Sequence, residues 1–349
     1  RSGAGVGLTS FYYPLRGDGR GQRGDRYEDK GARHYRCLGY TFPRDHATAW
    51  HNHRTQSRSF CSAGYHLRRL MSQQSNQRSA RTGKTIAING LGRIGKLFLR
   101  QALHHDLNVI VCNEPNGDPA SIALGLEFDS VQGRYEQPVR ADGDRLVVGE
   151  RSITLTKTSS FADLSWSDHG VDIVVDCSGK LRRHEQCLPH LEAGARQVLV
   201  SNPVKGVPNL VYGVNHQGVA FDDEPILTAA SCTTNCLAPV VRVLHDALGI
   251  ERGVITTLHN PTNTQVVVDR PHNDVRRSRS SLVNLIPTST NSATAVTLIV
   301  PELAGRLDSI AVRVPVLNAS LTDCAFSMAR DTTVEEVNET LRGAADGAM

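Results

Sequence analysis

Two cysteines stand four residues apart in "ASCTTNCLAPVV", residues 230–241. That spacing does not make a CxxC redox pair. Apolar residues at Leu237, Val240, Val241, Leu244 and Leu248 predict a helix that stops near Gly249. Ser231, Cys232, Thr233 and Thr234 then fall at its amino end, where free N–H groups and the helix dipole favour a thiolate. Cys232 is the candidate nucleophile, and Cys236, one turn deeper, reads as a packed thiol. A nucleophilic thiol needs a base. The stretch "GVITTLHN", 253–260, predicts a strand ending in His259, and strand ends meet helix starts at one sheet edge. His216, His245 and His272 read as surface or structural residues. No His/Cys pair at zinc spacing lies near Cys232, so no metal site is expected. After His259 come Thr262, Thr264, Thr288, Ser289, Thr290 and Arg313. Hydroxyls with one arginine suit phosphate groups, although threonines also suit strands and turns.

The elements that must position this chemistry begin at Lys84. "KTIAIN", 84–89, predicts a strand, and "GLGRIG" follows with Gly90, Gly92 and Gly95 in GxGxxG spacing. The stretch 93–103 predicts a helix with Ile94, Leu97, Phe98 and Leu103 on its inner face. "LNVIVCNE", 107–114, predicts a second buried strand ending in Glu114, 24 residues after Gly90. In such a βαβ unit the first glycine permits a tight turn and the second admits a pyrophosphate. The third allows close helix packing, and the helix N-terminus attracts the anion. An acid at the second strand's end bonds a ribose 2′-hydroxyl and repels a 2′-phosphate, which points to NAD rather than NADP. Further units follow: a strand over 171–179 carrying Ser178 at its carboxyl end, a helix-like stretch over 182–195, and a strand over 196–203. Ser178 reads equally as a ligand contact or a turn residue. This alternation predicts an α/β chain: a Rossmann-type, doubly wound NAD-binding domain followed by an α+β catalytic domain.

Composition bounds the rest. The chain has 349 residues, enough for two domains, and eight scattered cysteines, which suggest no disulfide framework and a reducing compartment. No apolar run is long enough to span a bilayer, so no membrane insertion is expected. The formal charge of +4 is uneven: residues 1–83 hold 14 Arg and 1 Lys against 5 acids, leaving a net −6 for residues 84–349. The front end lacks periodicity, and from Ala47 to Gly83 it lacks acids. It reads as a disordered or untranslated leader before Met71, or as an organellar targeting segment. It carries no aromatic–basic interleaving, so no nucleic-acid partner is expected. The expected divisions are thus a leader over 1–83, an NAD-binding domain over 84–231 and a catalytic domain over 232–349.

The motifs "NGLGRIG", "EFDSVQGRY", "YGVNHQ", "ASCTTNCLAP", "TTLHNPTNTQ", "LIPTST", "PELAGRL" and "AVRVPVLNASLTD" occur in the order seen in glyceraldehyde-3-phosphate dehydrogenases. The resemblance covers about residues 84–349. "TAASCTTNCLAPVV", "PTNTQ", "PHNDVRRSRS" and "AVRVPVLNASLTDC" are most similar to the branch associated with arsenical efflux. The resemblance implies that Cys232 is the catalytic cysteine and His259 its activating histidine. It places Arg93, Ile94, Glu114 and Ser178 at the NAD. Ser231, Thr233 and Thr290 fall where one phosphate site lies, and Thr262 and Arg313 where the substrate's own phosphate binds. The implied substrates are glyceraldehyde 3-phosphate with inorganic phosphate, or arsenate in its place. A homotetramer is implied, with segment 266–290 packing near a neighbour's cofactor, as is coupling to an arsenical exporter. The implied location is cytoplasmic, or organellar if residues 1–83 are a transit segment.

Several positions depart from the family's pattern. Asn291 stands where most members carry glycine, beside Thr290 in the phosphate site, Pro261 follows Asn260, and Ala229 replaces an asparagine. Family members continue past the segment that ends here at Met349, which predicts an incomplete catalytic domain. Two other readings remain open: an erythrose-4-phosphate dehydrogenase, and a non-catalytic nucleotide- or RNA-binding relic.

Overall fold

The computed structural model describes residues 83–219, 223–347 and 349, and the backbone alone of residues 36–40. The expectation for residues 1–83 therefore falls, apart from that short strand and Gly83, outside the described residues. The described chain divides into two compact units. One holds residues 83–209 and 223–229; the other holds residues 210–219 and 230–349 together with strand β1 (Arg36–Tyr40).

In the first unit β2 (Ile86–Asn89), β3 (Val109–Asn113), β6 (Val139–Asp142), β7 (Arg145–Val148), β8 (Arg151–Thr156), β9 (Ile173–Asp176), β10 (Gln197–Val200) and β11 (Ile226–Thr228) form one eight-stranded sheet. Its order is β11-β10-β9-β2-β3-β8-β7-β6, parallel from β11 to β8 and antiparallel at the β7 and β6 edge. β4 (Phe128–Asp129) and β5 (Gly133–Arg134) form a separate small hairpin. All four residues of β2 are buried, as a central parallel strand covered on both faces requires. The sheet has the doubly wound order the βαβ pattern foretells.

Helix α1 (Arg93–His104) turns differently from the expected face. Gly95, Leu99, Ala102 and Leu103 are buried, Leu97 and Phe98 are half-buried, and Ile94 is 54% exposed. The reason is Gly95: a Cβ there would sit 1.8 Å from the Gly90 carbonyl oxygen. The helix is seated on the glycine turn at Gly95, and that contact, rather than the largest apolar residues, sets its rotation. Helix α2 (Pro119–Glu127) starts behind an Asp118 cap that accepts from the Ser121 N–H. The helix-like stretch 182–195 is shorter than its composition suggests. It is a 3₁₀ turn, His184–Gln186, followed by the five-residue α3 (Leu188–Glu192), with Pro189 in the first turn, where no N–H is needed.

In the second unit α4 (Cys232–Leu248) is followed directly by β12 (Ile250–His259), with Gly249 at φ +73° closing the helix. β13 (Ile286–Thr288), α5 (Ser292–Thr297), β14 (Leu307–Arg313), β15 (Ser320–Met328) and α6 (Val334–Ala345) complete it. The sheet runs β1-β15-β12-β14-β13. Only β12 and β14 pair in parallel; their neighbours are antiparallel. Leu237, Val241, Leu244 and Leu248 of α4 pack with Ile255, Val300, Leu303, Phe326 and Val337 into one core. Along β12, Ile255, Thr257 and His259 are buried at alternate positions, so His259 belongs to the face that carries this core. Among the described residues no helix is long and apolar enough to cross a membrane.

Candidate active site

The position of the candidate nucleophile is built by its cap. Ser231 is the N-cap of α4, its hydroxyl accepting from the Thr234 N–H at 3.0 Å and lying 2.7 Å from the Thr234 hydroxyl. Ala230, just before it, holds the left-handed φ of +56°, a conformation unfavourable for a residue with a Cβ. Cys232 follows as the first helical residue and is exposed. Its Sγ lies 3.3 Å from His259 Nε2. Although the residue as a whole is exposed, its sulfur is partly desolvated; the bond from His259 outweighs that and holds the thiol below its ordinary pKa, and the charge on His259 and the Thr233 hydroxyl and N–H add to it. Cys236 shows the opposite: burial pushes its thiol up, and its Sγ lies 3.9 Å from the Thr322 hydroxyl. One turn of helix separates a reactive sulfur from an inert one.

His259 sits where β12 and β14 end together. The parallel register pairs His259 with Arg313, so two residues 54 apart in sequence share one level of the sheet. His259 Nδ1 is 2.7 Å from the Asn260 carbonyl oxygen and 2.6 Å from Arg313 Nη1, which itself donates to that carbonyl at 2.8 Å. Nδ1 thus faces both an acceptor and a donor. With the ring proton on Nδ1 bonded to Asn260, Nε2 is a free base facing Cys232. With Arg313 donating into Nδ1, Nε2–H faces a thiolate. The other histidines are committed elsewhere. His245 accepts from the Ile250 N–H, His216 from Gly213 and His272 from Asp274.

Around this pair lies a cationic pocket wall that the sequence reading covered only in part. Arg313 is half-buried; burial lowers its pKa, a Cys232 thiolate raises it, and the Arg277 guanidinium lowers it again. Arg277, not singled out from sequence, donates to the Thr288 hydroxyl at 2.5 Å. Arg313 Nε and Gln265 Nε2 are buried without a hydrogen-bond partner, while Arg277 Nε lies 3.5 Å from Asp274 Oδ2. Two neighbouring guanidiniums, one with a buried Nε lacking a hydrogen-bond partner, are a candidate site for a multiply charged oxyanion. Arg277 was hidden among Arg276, Arg277 and Arg279, where nothing in the run tells which one turns inward. Asp274 also pairs with Arg276, and Arg279 pairs with Asp269. The Thr262 and Thr264 hydroxyls lie 3.1 Å apart, with Gln265 accepting from Thr262. Thr290 bonds Ser292 at 2.6 Å, and Asn291 precedes α5 without a side-chain capping bond.

The first unit presents a second, separate set. Gly90 has φ +94°, and a Cβ on it would meet Ser178 N at 2.8 Å, so the turns after β2 and β9 approach through backbone alone. A Cβ on Gly92 would meet nothing within 4 Å, and no side chain caps α1 there. That leaves the helix N-terminus open to an anion. Glu114 accepts from the Leu91 N–H at 2.8 Å with one oxygen and from the Asn116 N–H at 2.9 Å with the other. It therefore stands at the glycine turn, as a ribose-binding carboxylate must. Arg93 is committed to Asp129, one Nη1 reaching both carboxylate oxygens at 2.7 and 2.6 Å. Burial would raise the Asp129 pKa, but the Gln132 N–H, Arg93 and the Val131 N–H outweigh it and hold the carboxyl at about 2. Ile94 leaves its side chain in solvent beside the open turn. These residues fit a dinucleotide: an open helix start, a glycine turn without side chains and a carboxylate beside it.

Comparison with known proteins identifies domains in both units. Residues 84–184 match the glyceraldehyde 3-phosphate dehydrogenase, NAD binding domain, and residues 231–349 match the glyceraldehyde 3-phosphate dehydrogenase, C-terminal domain. Glyceraldehyde-3-phosphate dehydrogenase 3 of Nostoc sp. is 48% identical over 265 residues, covering 75% of this chain and 79% of the relative. The Pseudomonas aeruginosa glyceraldehyde-3-phosphate dehydrogenase is 47% identical over 75% of this chain and 80% of its own length. That of Geobacillus stearothermophilus is 42% identical over 76% and 79%. An NAD-binding Rossmann unit, a catalytic unit with a thiol–imidazole pair, and this extent of identity lead to one conclusion: the chain belongs to the glyceraldehyde-3-phosphate dehydrogenase family.

Proposed function

We propose that the chain oxidises glyceraldehyde 3-phosphate with NAD and captures the acyl group with inorganic phosphate or arsenate. The observation that carries this reading is the Cys232–His259 pair, 3.3 Å apart, beside an Arg313 whose Nε lacks a partner. The thiol gives its proton to His259 Nε2, the thiolate attacks the aldehyde carbon, and the same proton passes to the carbonyl oxygen, forming a hemithioacetal on Cys232. His259 takes the hemithioacetal proton through Nε2 while Nδ1–H is held by the Asn260 carbonyl. NAD supplies the hydride acceptor; Gly90, Gly92, Gly95, Arg93, Ile94, Glu114 and Ser178 form its site. Ionised Cys232 leaves when phosphate attacks the resulting thioester, giving an acyl phosphate.

Arg313, Thr262 and Thr264 bind the substrate's phosphate in this reading, and Ser231, Thr233, Thr290 and Asn291 the incoming one, with Arg277 between them in charge. Arsenate has the same charge and shape, so the same groups accept it. We infer a homotetramer as well; the exposed apolar side chains Val267, Val268, Val283 and Leu285, which suit a neighbouring subunit, support it. Cys112, Cys177, Cys187, Cys232 and Cys236 form no disulfide, consistent with a reducing compartment such as the cytoplasm. The test is NADH formation from glyceraldehyde 3-phosphate and phosphate, followed by mass spectrometry of a quenched, phosphate-free reaction. An acyl adduct on Cys232 supports the mechanism; turnover with Cys232 unmodified rejects it.

A further inference from the structure

The proposed mechanism leaves one ionisable group unused: Asp176, at the end of β9, with no exposed surface. A buried carboxylate without partners would be very costly. This one has four donors. Asn89 Nδ2 and His190 Nε2 reach Oδ2 at 2.7 and 3.1 Å. The Ser178 hydroxyl and N–H reach Oδ1 at 2.7 and 3.1 Å. His190 is itself fully buried, and its Nδ1 lies 3.0 Å from Trp166 Nε1. An indole N–H can only donate, so Nδ1 must be the accepting nitrogen and the ring proton sits on Nε2, aimed at Asp176. His190 is therefore neutral in one fixed tautomer, and Asp176 is an anion satisfied by hydrogen bonds without a cation.

The donors come from the residues that lead into two turns. Asn89 is the last residue of β2, immediately before Gly90; Ser178 follows β9. The Cys177 N–H also donates to the Asn89 carbonyl at 2.7 Å, and Asn89 Oδ1 accepts from Asn113, the last residue of β3, at 2.8 Å. One carboxylate thus holds the carboxyl ends of neighbouring strands at the level where Gly90 and Ser178 touch. We propose that Asp176 is a positioning residue of the dinucleotide site. It clamps the Gly90 turn to the Ser178 turn, and His190, fixed by Trp166, is the part of the clamp that reaches in from α3. The proposal rests on the reading that these two turns hold NAD.

The test uses the full chain and measures the Kd for NAD together with the thermal midpoint, and with Cys232 alkylation as a control for the other unit. Wild type is measured first: failure to bind NAD sinks the cofactor reading itself, and this proposal with it. Asp176→Asn places an amide NH2 against two of the four donors and is expected to weaken NAD binding about tenfold or more, well below its melting range. His190→Leu, which keeps volume and loses both bonds, is expected to do the same. His190→Gln offers an amide oxygen to Trp166 and an N–H to Asp176, and is expected to restore affinity to within about twofold of wild type. A purely structural role would lower the thermal midpoint and leave the Kd of the folded protein alone, and that result overturns the proposal. Equal Kd values for His190→Leu and His190→Gln overturn it as well. If Asp176→Asn does not fold, the two His190 variants decide the matter.

Discussion

Two histidines of this chain each stand beside an acid or thiol, and they are used in opposite ways. His190 has one donor on Nδ1 and one acceptor on Nε2, each fixed, and no exposed surface. Its proton has one place to be. His259 has Arg313 and the Asn260 carbonyl competing at Nδ1, and only Cys232 at Nε2. Its proton can sit on either nitrogen at the cost of one hydrogen-bond exchange. A ring whose two nitrogens have single, complementary partners is a strut; a ring with a contested nitrogen is a proton carrier. The same imidazole becomes one or the other through what lies at the second nitrogen.

That contrast can be broken most severely at Cys232. Cys232→Ser is expected to lower kcat by at least about 10⁴-fold, because a hydroxyl is not ionised by the same environment. A stopped assay for NADH reads it. Next is His259→Asn, with an expected loss of about 10²–10⁴-fold in kcat. This variant also tests the sign of the thiol shift. In wild type the Cys232 pKa is depressed, so the midpoint of iodoacetamide alkylation against pH lies below the ordinary thiol value, and the rate falls as pH drops through that midpoint. Without His259 the midpoint moves up toward the ordinary thiol value of about 8.5. An unchanged alkylation profile would mean that the helix, not His259, sets the thiolate.

Arg277→Ala is expected to raise the KM for phosphate or glyceraldehyde 3-phosphate by about tenfold to a hundredfold, the loss of one charge-assisted bond. Steady-state kinetics with each varied in turn would also reveal which anion Arg277 serves. Cys236→Ala sharpens the comparison from the other side: alkylation kinetics and turnover are expected to stay within about twofold of wild type. The smallest effect is expected at Ala230→Gly. Glycine relieves the left-handed φ of +56° but loosens the unfolded chain, so thermal unfolding should shift by no more than about 1 kcal/mol of stability.

The legible parts of the site were those written in local pattern. Cys232 and its helix start follow from apolar spacing and a serine cap, and His259 from a strand that ends in it. The glycine turn follows from GxGxxG between strand and helix. Less legible were features set by distant contacts. The inner face of α1 is fixed by Gly95 meeting the Gly90 carbonyl, which no count of apolar residues reveals. Arg277 is one of three nearby arginines, and only the folded loop turns it toward Thr288. The Asp176 network joins residues from positions 89, 166, 176, 178 and 190, whose pairing depends on strand order.

The parallel pairing of β12 and β14 has a consequence for how such a protein can vary. His259 and Arg313 meet because two strands stay in step, whatever the length of chain between them. Lengthening the connection over residues 260–306 adds an entropic cost that grows only logarithmically. Slipping β14 by one residue turns Arg313 to the opposite face and abolishes the meeting at once. The length of that connection is therefore free to drift by insertion and deletion, while the two strands tolerate almost none.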